Sequence, residues 1–207
     1  MDEPKWLLWA REIQAIAQTG LAFSKDPYDL ERYQRLRAIA VEMLAQGSGT
    51  PIAQLATLFD QEMGYATPKV DVRGAVFRDD RILLVREISD GRWTLPGGWA
   101  DVNQSARESV EREIEEESGY SARARKLVGV WDYRRQGHRA LHAHSIYKLF
   151  FLCELTGGSA RPSQETSAVE FFSLDRLPEL SLGRVNPEQI RRMYQHRDNP
   201  QLQTEFD

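Results

Sequence analysis

At Gly64 the period of the apolar pattern changes from that of a helix to that of a strand, so this chain must build two kinds of core. Upstream, Trp6, Trp9, Ile13, Ile16 and Ala17 recur at three- and four-residue spacing, the period of one helix face, and Gly20 is the expected stop. Asp26-Pro27 supplies an N-cap and a first-turn proline for a second helix through Tyr33, Leu36, Ile39, Ala40, Met43 and Leu44, which Gly47-Ser48-Gly49 breaks. Thr50-Pro51 opens a shorter third helix through Leu55, Leu58 and Phe59. Downstream, Val70, Val72, Ala75 and Val76, then residues 82–85, read as two strands joined at Asp79-Asp80. Further strands are expected over 126–133, 145–154 and 168–172, with one strong helix near 105–119 and another over 187–196. The pattern predicts a small all-α domain over 1–64 and an α+β domain over 68–207, with the boundary near 65–68.

Composition narrows the class of function. At 41% hydrophobic and 28% charged residues the chain is an ordinary globular sequence, which excludes a disordered polymer or a membrane bundle. Its longest uncharged apolar run, 149–153, is far short of the roughly 18–20 residues of a bilayer span. Asp2 and Glu3 stand where a basic leader would, so no secretory signal is expected. Lys plus Arg is 27 against 31 for Asp plus Glu, a formal charge of −4, which speaks against broad attraction to nucleic acid or an anionic membrane. The single Cys153 cannot pair within the chain and lies in an apolar run, so a reducing, cytoplasmic home is expected.

Chemistry concentrates in Leu95-Pro96-Gly97-Gly98-Trp99-Ala100-Asp101 and the helix that follows. Ser105 with Glu108 forms a capping box that sets the helix start, and Gly119 supplies its stop. Between them Glu113, Glu116 and Glu117 fall at i, i+3 and i+4, on one arc of roughly 100°, while Glu115 points away and Glu111 lies nearer the outer side. Carboxylates crowded there repel one another, and the helix dipole disfavours negative charge in the last turns. Folding asks for no such arrangement. A hard divalent cation such as Mg²⁺ or Mn²⁺ does, since it takes oxygen ligands and neutralises the cluster; a solvated acidic face is the alternative.

From Gly98 to Tyr120 the sequence resembles the signature of the Nudix hydrolases, Gly-x5-Glu-x7-Arg-Glu-U-x-Glu-Glu-x-Gly-U, with U bulky and apolar. Gly98 fits the first position, and Arg112-Glu113-Ile114-Glu115-Glu116-Glu117-Ser118-Gly119-Tyr120 fits the whole second half. The resemblance implies a mixed β-sheet sandwiched between helices. It also implies Mg²⁺- or Mn²⁺-dependent attack of water on the diphosphate of a nucleoside diphosphate linked to a group X. Glu113, Glu116 and Glu117 would supply carboxylate oxygens, and the Gly97 carbonyl a further ligand. One position departs: Gln104 stands where the family has a glutamate that pairs with the motif arginine. Gln104 can still accept a hydrogen bond from Arg112, without the strength a carboxylate adds. Family members draw another carboxylate from a later loop as base or ligand; Glu165 is the candidate and Glu170, alternating toward solvent in a strand, its competitor.

Other residues carry weaker signals. Arg134, Arg135 and Arg139 could bind substrate phosphate, and Trp99, across the Pro-Gly-Gly turn from Trp93, could stack on a base. His138, His142 and His144 could suggest a zinc site, but no cysteine lies near and the run is a loop entering a strand, so they read as solvated histidines or one contact to substrate phosphate. The segments 97–102, 146–154 and 177–181 are similar to a bacterial subgroup with an N-terminal helical domain, whose members resemble ADP-ribose or CDP-choline pyrophosphatases and form homodimers. Trp6, Trp9 and Phe23 give the helical domain more apolar surface than three short helices can bury, so it should pack on the catalytic domain or on a partner subunit. Two other functional classes compete: a Nudix-fold ligand sensor weakened by Gln104, and a hydrolase acting on RNA ends.

Overall fold

The computed structural model describes residues 4–138 and 142–207, and these divide into two compact units, 4–68 with 142–145 and 69–138 with 146–207. The first unit holds three helices, α1 (Lys5–Phe23), α2 (Pro27–Ser48) and α3 (Ile52–Asp60), around Leu7, Val41, Leu44, Leu55 and Phe59. Asp26 caps α2 by accepting the N–H groups of Tyr28 and Asp29, both at 3.0 Å, and Gly49 ends it in the left-handed conformation.

α1 departs from the sequence expectation twice. It runs through Gly20 to Phe23, because that glycine serves helix packing: a Cβ there would lie 2.4 Å from the Tyr33 ring of α2. Its buried face is Leu7, Ala10, Gln14, Ala17 and Gln18, while Trp9, Ile16 and Phe23 are 55%, 51% and 66% exposed. Close approach to α2 selects small side chains, so the large residues of the same period are turned outward.

The second unit is a split sheet between two helices. β1 (Lys69–Arg78) pairs parallel with β5 (Ile146–Gly158), which pairs antiparallel with β4 (Tyr120–Asp132), and the short β7 (Glu205–Phe206) closes that side. β2 (Arg81–Glu87) follows a tight turn at Asp79 and Asp80, at φ 50° and 58°, then leaves β1 to join β3 (Trp93–Thr94) and β6 (Thr166–Phe172). Where β2 diverges, the glycine turn takes its place on β1. Gly74 N–H donates to Pro96 O at 2.9 Å, Val72 N–H to Gly98 O at 2.8 Å, and Ala100 N–H to Val70 O at 2.9 Å.

α4 (Ala106–Ser118) covers one sheet face, with Val110 and Ile114 packed on Val72 and Val76. α5 (Pro187–Asp198) covers the other, with Ile190 and Met193 against Ala75, Phe150 and Trp131. Full burial of each such side chain is worth roughly 1.5–3 kcal/mol, which fixes α4 on the strand that carries the turn. β4 begins before, and β5 continues past, the expected ends: residues 120–124 pair with 153–158, and Tyr120, Ala124 and Cys153 join the core with Val110 and Ile114. Among the described residues no helix is long and apolar enough to cross a membrane.

Candidate active site

The capping box forms as expected, with Ser105 and Glu108 each accepting the other's backbone N–H, and Gly119 ends α4 at φ 74°. With Val110, Ile114 and Ser118 buried, the next arc of the helix carries the three carboxylates. Glu117 is driven inward, only 5% exposed, and its Oε2 accepts the Gly97 N–H at 2.9 Å. Gly97 itself sits at φ 143°, and a Cβ there would lie 2.0 Å from Val72 O, so only glycine can present its N–H to the helix from this position. At Gly98 a Cβ would stand 3.0 Å from Glu113 Oε1, which shows how closely the turn approaches the second carboxylate.

Burial pushes the Glu117 carboxyl up to about 8, against the pull of Arg73 and the Gly97 N–H; Glu87 and Glu113 push in the same direction as burial. Glu113 is also raised by burial, with Arg112 opposing. Arg112 spans the exposed side of the arc: Nε donates to Gln104 Oε1 at 3.1 Å, Nη1 to Glu116 at 2.5 Å and Nη2 to Glu113 at 2.9 Å, and Nη2 lies 2.9 Å from Asp101. Gln104 thus keeps the hydrogen bond expected of it. Glu111, on the outer side, accepts the Ala124 N–H at 2.8 Å and ties α4 to β4.

The turn, Glu113, Glu116, Glu117 and Arg112 therefore come together. Glu165 is exposed, but its carbonyl accepts the Ile88 N–H at 2.9 Å, which holds it at the end of β2 near Glu87, whose carboxyl is raised chiefly by burial and further by Glu165. Glu170 points to solvent from β6. Trp99 is half exposed opposite Asp71, whereas Trp93 packs edge-on against Phe172. Arg134 and Arg135 are exposed on a 3₁₀ turn after β4, and Arg139 lies outside the described residues.

The three histidines separate. His138, read from the sequence as solvated or phosphate-binding, is instead packed: its ring stacks on Tyr133 at 4.4 Å and both nitrogens are engaged, with Leu182 O and Gln189. His142 and His144 belong to the other unit, where Arg11 donates to the His142 carbonyl and His144 meets Phe59 edge-on.

Four buried charged residues escaped the sequence reading: Asp71, Arg73 and Lys148 on the sheet face and Glu87 at the end of β2. Charges interrupting the apolar runs of β1 and β5, parallel strands covered on both sides, were the available signal. Glu87 is held by Arg184 at 3.0 Å.

As placed, no three His, Cys, Asp or Glu side chains among the described residues form a ready ligand set. Glu113 and Glu116 face Arg112, and Glu117 faces Gly97. The donors nevertheless fit a hard divalent cation: they are all oxygen, and a carboxylate as buried as Glu117 calls for positive charge nearby.

Comparison with known proteins identifies relatives of both parts of the chain. Residues 4–59 match the family model described as a UDP-X-like, N-terminal oligomerisation domain, and residues 67–194 match the NUDIX domain. YjhB of Bacillus subtilis (strain 168), provisionally named an ADP-ribose pyrophosphatase, is 45% identical over 99% of this chain and 98% of its own. The crystal structure of a UDP-X diphosphatase matches all of both chains at 36% identity and a TM-score of 0.64. That of an ADP-ribose pyrophosphatase from Streptococcus suis 89-1591 matches 68% of this chain and all of its own at 42% identity and a TM-score of 0.63.

Proposed function

The chain belongs to the Nudix hydrolase family, and from that premise we propose that it hydrolyses a nucleoside diphosphate–X of ADP-ribose or CDP-choline type to a nucleoside monophosphate and phospho-X, using Mg²⁺ or Mn²⁺. Hydrolysis of a diphosphate bond in compounds of this general class is the activity for which its relatives are named. The observation that carries the proposal is the Glu117–Gly97 contact: a buried carboxylate fixed on the glycine turn, with Glu113 and Glu116 on the same arc.

Glu113, Glu116, Glu117 and the Gly97 carbonyl are the residues that would hold the cation. When bound, such an ion neutralises phosphate oxygens and makes a water easier to deprotonate. Arg112 orients Glu113 and Glu116 through its hydrogen bonds to both. Glu165, held beside Glu87, is the proposed acceptor of the attacking water's proton. Trp99 offers a half-exposed ring to a base, and Arg134 and Arg135 offer guanidinium groups to phosphate; Arg139 is included on its sequence position alone. The retained Gln104–Arg112 bond gives no support to a ligand sensor over a hydrolase.

The test is phosphate release, with phosphatase coupling, across a panel of nucleoside diphosphate–X compounds in Mg²⁺ or Mn²⁺, run alongside Glu117→Gln. Turnover of ADP-ribose or CDP-choline that the variant loses is the expected result. A panel on which wild type never exceeds the variant would refute the proposal.

We also propose that residues 1–64 join two copies while 68–207 carry catalysis. The outward Trp9, Ile16 and Phe23 support this, as does the oligomerisation domain matched over the same helices. Removing 1–64 should give a monomer or an aggregate in light scattering; a soluble, active dimer would sink this assignment.

A further inference from the structure

On the sheet face away from α4, one carboxylate serves two cations. Asp71 receives a fork from Arg73, at 3.0 Å from Nε and 2.8 Å from Nη2, and lies 2.7 Å from Lys148 Nζ on the neighbouring strand. All three side chains are under a tenth exposed. Ionic groups in such a place are costly, and apolar residues of similar volume often do as well or better. The surrounding strands are rich in Val, Ala and Phe that pack well there, so the fold alone gives no reason for the charges.

Among the described residues, the side-chain bond that leaves this cluster toward the candidate site belongs to Arg73. Its Nη1 donates to Leu95 O at 3.1 Å, the carbonyl that opens the glycine turn. Beyond it the turn is pinned to β1 by backbone bonds at residues 96, 98 and 100, and Gly97 presents its N–H to Glu117. Locked by the Asp71 fork, with Lys148 supplying a second positive charge, Arg73 cannot swing away from the turn.

We propose that Arg73 is a positioning residue of the site: it sets the Leu95–Gly98 turn so that Gly97 and Glu117 meet, and the Asp71–Lys148 pair exists to hold its guanidinium. This rests on the reading of Glu117 as a cation ligand. Arg73 touches no reacting atom and acts through Glu117.

A double-mutant cycle on Mn²⁺ affinity tests the coupling, with binding to the full-length protein followed by electron paramagnetic resonance. Arg73→Met should weaken Mn²⁺ binding by about tenfold, the lower end of what loss of an outer-sphere partner costs a metal site. On the Glu117→Gln background the same change should have no further effect. An equal loss on both backgrounds, or no loss on the wild-type background, overturns the inference while leaving the cation site standing. Wild-type affinity in Glu117→Gln alone would remove Glu117 from the cation site, and the inference with it. Arg73→Lys keeps the charge but cannot reach both Asp71 and Leu95, so it should show the same pattern and carries the test if the methionine variant does not fold.

Discussion

His138 makes the acid stability of this protein predictable. The ring is stacked on Tyr133, donates from Nδ1 to Leu182 O at 3.0 Å and accepts at Nε2 from the Gln189 side chain at 3.2 Å. That acceptance requires the neutral imidazole. Protonation would set an Nε2–H against the Gln189 amide donor, and turning that amide to accept would withdraw the Oε1 that caps the Asn186 N–H at the start of α5, now 3.1 Å away. Burial, with Lys148 nearby, holds the imidazole down to about 4 against an ordinary 6.5.

Between those two values the unfolded chain binds a proton that the folded one refuses. The native state is therefore favoured above pH 6.5 and loses stability as pH falls toward 4, by at most about 3 kcal/mol at 1.36 kcal/mol per pH unit of displacement, and less in proportion to the ring's residual exposure. Urea unfolding of wild type and His138→Gln at several pH values from 7.5 to 4 measures this. The substitution costs stability at pH 7 through lost packing and hydrogen bonds, but the glutamine cannot titrate. The wild-type and variant curves should converge as the medium is acidified, because the carboxylates common to both cancel in the difference. A gap that stays constant from pH 7 to pH 4 would show that the imidazole is not held neutral by its surroundings.

Gly97→Ala should destabilise the fold by about 3 kcal/mol or more, since its Cβ meets backbone at 2.0 Å and φ is 143°, and Mn²⁺ binding should be lost in any protein that still folds; calorimetry with Mn²⁺ titration reads both. Gln104→Glu should tighten Mn²⁺ binding several-fold, because a carboxylate at 104 holds the Arg112 guanidinium more strongly and so fixes the group that orients Glu113 and Glu116; unchanged or weaker binding would contradict that role for Arg112. Burial, assisted by Glu111, pushes the Cys153 thiol up to about 12, so a thiol reagent at pH 8 should label it only after denaturant is added.

The features legible in the sequence are those whose physics is local. Ser105 and Glu108 are three residues apart, Gly119 terminates the helix they begin, and Glu113, Glu116 and Glu117 share an arc by helix geometry alone. Asp79-Asp80 and Asp26-Pro27 likewise announce a turn and a cap. The face of α1 was misplaced because periodicity gives the spacing of a stripe but not its phase. Which of two stripes turns inward depends on the distance to α2, and that distance is set by Gly20 against Tyr33. The two-residue strands β3 and β7 are too short for any alternation to show.

The same contrast separates the candidate site from its support. The three carboxylates lie within five residues of one another on one helix, so a linear pattern can state them. Their placement depends on partners that only the sheet brings near: Gly97 lies 20 positions from Glu117, Leu95 lies 22 from Arg73, and His138 lies 51 from Gln189. Each of these contacts joins elements far apart in sequence, and the one between Leu95 and Arg73 follows from the pairing of the turn with β1. Asp71 stands opposite Lys148 because β1 and β5 run parallel in that register, and a one-residue slip would turn one of them to the other face. A polar residue inside a strand is read from sequence as an outward face when the sheet is assumed half-exposed. In a central parallel strand covered on both sides there is no outward face, and a charge there has to be answered by another charge. Asp71, Arg73 and Lys148 could thus have been suspected once β1 was recognised as central, although their link to Glu117 could not.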